Sequence, residues 1–89
     1  MHTIHDKSKL LARVRRMQGQ LRALETQLDQ EGDCIAILQQ IAAIRGAANG
    51  LMSTIIEGHM MDHIVKEAKE EHRREEAEVV FQVLKSYLK

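Results

Sequence analysis

The stretch Cys34–His63, CIAILQQIAAIRGAANGLMSTIIEGHMMDH, opens on the chain's one cysteine and closes on two histidines, His59 and His63. It runs for roughly eight helical turns without a proline. Leu38, Ile41, Ala48, Met52 and Ile55 recur at three- and four-residue steps, so the stretch reads as one long helix. At 100° per residue, Cys34, His59 and His63 fall within about 20° of one face. Along the axis, however, a rise of ~1.5 Å per residue separates Cys34 from His59 by roughly 37 Å. They cannot share a site within one straight helix. A second, antiparallel copy would bring Cys34 of one chain beside His59 and His63 of the other. The two helices would then cross near Gly46, Ala47, Ala48, Asn49 and Gly50, where small residues permit close approach. The expectation is a symmetric dimer with two identical Cys/His sites.

Eighty-nine residues allow a single domain, spanning 1–89, too small to bury much core without oligomerising. The apolar content is 44%, yet it includes only one Phe and one Tyr. Leu, Ile, Ala, Val and Met supply the remainder, which favours an all-α fold over strands. A lone cysteine excludes an intramolecular disulfide and suits a reducing, cytoplasmic setting. Neither a signal peptide nor an apolar run of membrane-spanning length is present. Net charge is zero but unevenly spread: residues 1–30 carry six Lys/Arg against three Asp/Glu, a balance of +3. The rest of the chain offsets this with seven against ten.

Leu10, Val14, Met17, Leu21, Leu24 and Leu28 step by 4, 3, 4, 3, 4, which predicts a first helix packed along its length against another helix. Arg13, Arg15 and Arg16, with Lys7 and Lys9 before them, are either a solvated surface or a phosphate-contacting face. No base-reading motif accompanies them. The polar run DQEGD (29–33) reads as a connection in which Gly32 ends one helix and Asp33 caps the next. Cys34 then lies in the first turn of the second helix. There it is either a small buried apolar residue or a thiol poised for metal binding or nucleophilic reaction.

His59 and His63 form H-x₃-H, a spacing that brings two imidazoles within reach of one metal ion. The intervening MMD lacks the glutamate of a zinc protease, and no nucleophile–base pair is visible, so an enzyme is not expected. His2 behind a retained Met1 adds a third imidazole and an amine at the N-terminal end, and His5 a fourth ring. The alternative there is a frayed terminus. One sulfur with several nitrogens suits nickel, cobalt or zinc better than copper(I), which prefers a second soft ligand. The charged run 66–78, KEAKEEHRREEAE, is an end of helix two, a linker or the start of a third helix. His72 within it reads as a surface histidine. A short apolar helix, 79–88, follows.

RVRRMQGQ, CIAILQQIAAIRGAANGLM and GHMMDHIV resemble the CsoR/RcnR family of small helical transcriptional repressors, over essentially the whole chain. The resemblance implies a three-helix subunit with a long second helix, an antiparallel dimer and a disc-like tetramer of two dimers. It implies operator DNA held in the uninduced state through a basic face that includes the first helix, here Lys7, Lys9, Arg13, Arg15, Arg16, Arg22 and Arg45. It also implies release of that DNA when an inducer fills an intersubunit site, switching on an efflux or detoxification gene. Copper sensors of the family use Cys, His, Cys, whereas His63 stands at the last position here. Persulfide sensors need two cysteines. Formaldehyde sensors pair the cysteine with an N-terminal proline, which this chain lacks, although RVRRMQGQ and GAANGLM are as similar to that branch as to the nickel branch. The nickel/cobalt sensors use an N-terminal His, then Cys, His and His, which His2, Cys34, His59 and His63 match.

The sequence-based expectation is therefore an apo-repressor released from DNA by Ni(II) or Co(II), with Zn(II) as a third candidate. Two alternatives stand beside it. One is a formaldehyde- or electrophile-responsive repressor acting through Cys34. The other is a purely structural helical oligomer.

Overall fold

The computed structural model describes residues 6–87. Three helices follow one another: α1 (Lys7–Asp29), α2 (Cys34–Met60) and α3 (Glu70–Tyr87), with a π-helical turn at Met61–Val65 continuing α2. The all-α fold expected from composition is present, and no strand occurs among the described residues.

α1 ends in a Schellman arrangement. The Glu31 N–H donates to the Leu28 carbonyl (3.2 Å) and the Gly32 N–H to the Gln27 carbonyl (2.8 Å). The left-handed residue is Glu31, with φ of 53°, rather than Gly32. Gly32 is needed for a different reason: a Cβ there would sit 3.2 Å from the Gln27 oxygen that its own N–H approaches. Asp33 caps α2 as expected, its carboxylate accepting from the Ala36 N–H at 3.0 Å.

α1 folds back on α2 through a seam that differs from the expected one. Leu10, Met17 and Leu24 are half-buried, but their companions are Arg13, Gln20 and Gln27. Val14, Leu21 and Leu28 stay 37, 49 and 57% exposed. The apolar stripe of α1 is thus two-sided, and α2 of the same chain covers one side. The Gln40 amide donates to the Gln20 carbonyl across the seam (3.3 Å).

α2 ends sooner than His63, because the backbone switches to i→i+5 bonding, with the Lys66 N–H donating to the Met61 carbonyl at 3.0 Å. α3 begins at Glu70, well before the predicted apolar segment, so most of the charged run is helix. Lys, Arg and Glu are good helix formers, and the Arg74–Glu70 pair (3.4 Å) follows the i,i+4 rule. Arg73 fixes the corner by donating to the carbonyls of Glu67 (2.8 Å) and Ala68 (2.9 Å). α3 packs back on the C-terminal part of α2 and buries Val80, the one side chain below a tenth exposed among the described residues. No helix among the described residues is long and apolar enough to cross a membrane.

Candidate metal site and nucleic-acid face

His59 lies in the last turn of α2 and His63 inside the π turn. Their rings stand 4.5 Å apart, centroid to centroid, with planes tilted by 35°. Positions four apart on a helix diverge by only about 40°, so both rings project from the same side. Both rings are half-buried.

His59 Nε2 is 2.8 Å from Glu76 Oε2, a carboxylate presented by the second turn of α3. A carboxylate at Nε2 favours the tautomer with its proton there and puts the ring's lone pair on Nδ1. Metal-ligating histidines are commonly oriented in this way, one nitrogen held by a carboxylate and the other turned to the ion. Glu76 was not legible in the sequence, since it is one of six acidic residues between 67 and 78 that spacing does not distinguish. Only the reversal through the π turn and the Arg73-held corner selects it.

Cys34, an exposed free thiol, is the first residue of α2, at the end remote from the histidines. The chain therefore does not bring its cysteine and histidines together. Among the described residues no three His, Cys, Asp or Glu side chains are grouped so as to hold a metal ion. His2, His5 and the Met1 amine lie outside the described residues. His72 is the exposed histidine expected, 3.7 Å from Glu67.

The basic residues divide into two groups. Lys7, Lys9, Arg15, Arg16 and Arg22 of α1 and Arg45 of α2 are exposed. Arg13 is half-buried, and its guanidinium donates to Thr54 Oγ1 at 2.9 Å. The sequence carried no sign of Thr54 as a partner, because nothing in its spacing links it to α1.

A helical hairpin with exposed cations along α1, a carboxylate-backed histidine pair at one end of α2 and a cysteine at the other defines a class of small all-α subunit. Comparisons with known proteins say which. Residues 6–86 match the family model described as metal-sensitive transcriptional repressor. The transcriptional repressor RcnR of Salmonella paratyphi B is 53% identical over 88 residues, covering 99% of this chain and 98% of the relative. RcnR of Escherichia coli O9:H4 is 54% identical over the same coverage. A variant of the formaldehyde-responsive regulator FrmR from Salmonella enterica serovar Typhimurium has a similar structure, with a TM-score of 0.86 and 44% identity over 98% of this chain and 99% of that one. The chain belongs to the family of metal-sensitive transcriptional repressors.

Proposed function

We propose that the chain represses an efflux gene in its metal-free form and is released from its operator by Ni(II) or Co(II), with Zn(II) the third candidate. The observation that carries this reading is the His59–His63 pair, backed by Glu76, at one end of the helix whose other end carries Cys34. Such a set closes only between two copies. Cys34 of one protomer with His59 and His63 of an antiparallel partner would hold the ion, and His2, His5 or the Met1 amine would complete the set. The ion supplies bonds that tie two α2 helices together. The residues suit it: one sulfur with imidazole nitrogens matches borderline divalent metals. The relationship to RcnR at 53% identity supports the same reading.

On the DNA side, Lys7, Lys9, Arg15, Arg16, Arg22 and Arg45 offer exposed cations for phosphates, doubled by dimerisation and doubled again in a tetramer. Operator release then requires only that α2 shift against its partner and carry α1 with it. A coupling of about 1–3 kcal/mol gives roughly 5–150-fold weaker DNA binding.

One observation favours a second reading. The similarity to a formaldehyde-responsive regulator, together with the exposed thiol of Cys34, fits an aldehyde sensor with the histidines as supporting groups. The deciding experiment is a titration of the apo-protein bound to its promoter DNA, followed by anisotropy and by thiolate–metal charge-transfer absorption. Release by Ni(II) or Co(II), lost in Cys34→Ala, His59→Ala and His63→Ala alike, is the expected result. Release by formaldehyde, lost in Cys34→Ala but retained in His63→Ala, would establish the second reading instead.

A further inference from the structure

One cation in the basic stretch of α1 does not face outward. Arg13 Nη1 donates to Thr54 Oγ1 of α2 at 2.9 Å. The Thr54 hydroxyl in turn donates to the Gly50 carbonyl, one turn earlier on α2, at 3.1 Å. That commits the hydroxyl proton to α2 and leaves the oxygen's lone pairs to accept, so the three groups form an oriented relay. The second arm of the guanidinium occupies the space over Gly50, where a Cβ would stand 2.7 Å from Nη2. No carboxylate pairs with Arg13 among the described residues. Arg13 is therefore seated by a glycine notch and a pre-oriented hydroxyl, not by an ion pair.

We propose that Arg13 is a positioning residue, a latch through which movement of the histidine-bearing end of α2 reaches the DNA-binding face of α1. Thr54 stands five residues before His59, about 7.5 Å along the same helix. Arg13 stands between Lys9 and Arg16 on α1 and shares their face within about 60°. A shift of α2 at the inducer site carries Thr54 and the Gly50 notch with it, and the guanidinium seated there takes the cationic part of α1 along. The proposal rests on the reading of the chain as an inducer-released repressor. It adds to that reading a route between the two sites.

Thr54→Val removes the acceptor, keeps the side-chain shape and leaves every cation in place. Thr54→Ser keeps the hydroxyl, and Gly50→Ala fills the notch. Each is compared with wild type for promoter binding across a salt series, with and without Ni(II), and for Ni(II) affinity of the DNA-free protein. Thr54→Val and Gly50→Ala are expected to bind DNA with the wild-type salt slope, since no phosphate contact is lost. Nickel should weaken their DNA binding about fivefold less than it weakens wild type, in line with loss of one charge-assisted hydrogen bond at a half-buried site. Their DNA-free nickel affinity should not change, and Thr54→Ser should restore the full response. A wild-type nickel response in Thr54→Val overturns the latch, and so does an equal loss of DNA-free nickel affinity, which would put Thr54 at the inducer site itself. A wild-type protein that nickel does not release overturns the metal reading, and the same variants with formaldehyde then decide the latch. If Gly50→Ala does not assemble, as judged by sedimentation, the Thr54→Val and Thr54→Ser pair decides alone.

Discussion

His59 works through two neighbours, one in its own helix and one on α3. His63 stacks 4.5 Å away, and Glu76 holds Nε2 at 2.8 Å. Removing the charge of Glu76 while keeping its shape tests what that contact does. Glu76→Gln is expected to lower nickel affinity about 10–100-fold, the usual size for the carboxylate behind a metal-binding histidine. Helicity should stay at the wild-type level, because Glu76 caps nothing and lies part-exposed. Metal titration followed by absorption, beside far-ultraviolet circular dichroism, checks both halves. At this scale the sequence was informative where chemistry repeats with helical spacing. Cys34, His59 and His63 share a face by arithmetic alone. Glu76 and Thr54 were not legible, since their partners lie 17 and 41 residues away and are chosen by where the chain turns back.

The connections between helices carry the local tension of the fold. Glu31 adopts φ of 53° to close the α1 cap, a conformation that costs a side-chain-bearing residue about 1 kcal/mol. Glu31→Gly is expected to stabilise the protein by roughly 0.5–1 kcal/mol, raising the melting temperature by a few degrees. Gly32→Ala should act in the opposite direction, because its Cβ would press on a backbone oxygen at 3.2 Å that is itself hydrogen-bonded. Thermal melts of the two variants at equal concentration separate the effects. The sequence announced a break at DQEGD but not which residue would turn left-handed; glycine was the reasonable choice, and the cap placed it one position later.

The second corner depends on pH. Glu67 accepts the Lys69 N–H at 3.1 Å and lies near His72, and these contacts hold its carboxyl below the ordinary value of 4.5. A depressed folded-state value means that the unfolded chain binds the proton more readily. The stabilisation is fully present above pH 4.5 and disappears as pH falls through the lower, folded-state value. Glu67→Gln should therefore be slightly less stable at neutral pH, and the gap to wild type should close in acid. Melts from pH 7 down to about 3 measure it.

As a whole, one chain measures 56 × 31 × 13 Å. The shortest dimension is about the diameter of a single helix with its side chains. A slab one helix thick has two outer faces and almost no interior, which is why Val80 alone is buried among the described residues. Leu38, Ile41 and Ile55 of α2 and Leu21 and Leu28 of α1 are left exposed on it. Composition had already suggested that a chain this small needs a partner, and the heptad stripe of α1 was legible. Its division between two sides was not, because periodicity records that a residue is apolar and not which neighbour covers it. In the proposed dimer, a second copy covers this stripe and folding and association become one reaction. The melting temperature should rise with protein concentration, as mass action requires when only the assembled form is stable. Ile41→Glu places a charge on the exposed apolar stripe of α2, on the half of the helix that carries Cys34. It is expected to separate the protomers and, with them, the cysteine from the histidines. Sedimentation should show the smaller species, helicity should fall with dilution, and nickel should no longer produce thiolate charge-transfer absorption. An Ile41→Glu protein that remains a concentration-independent, fully folded monomer would show that the slab is stable alone and that the exposed stripe has no such role.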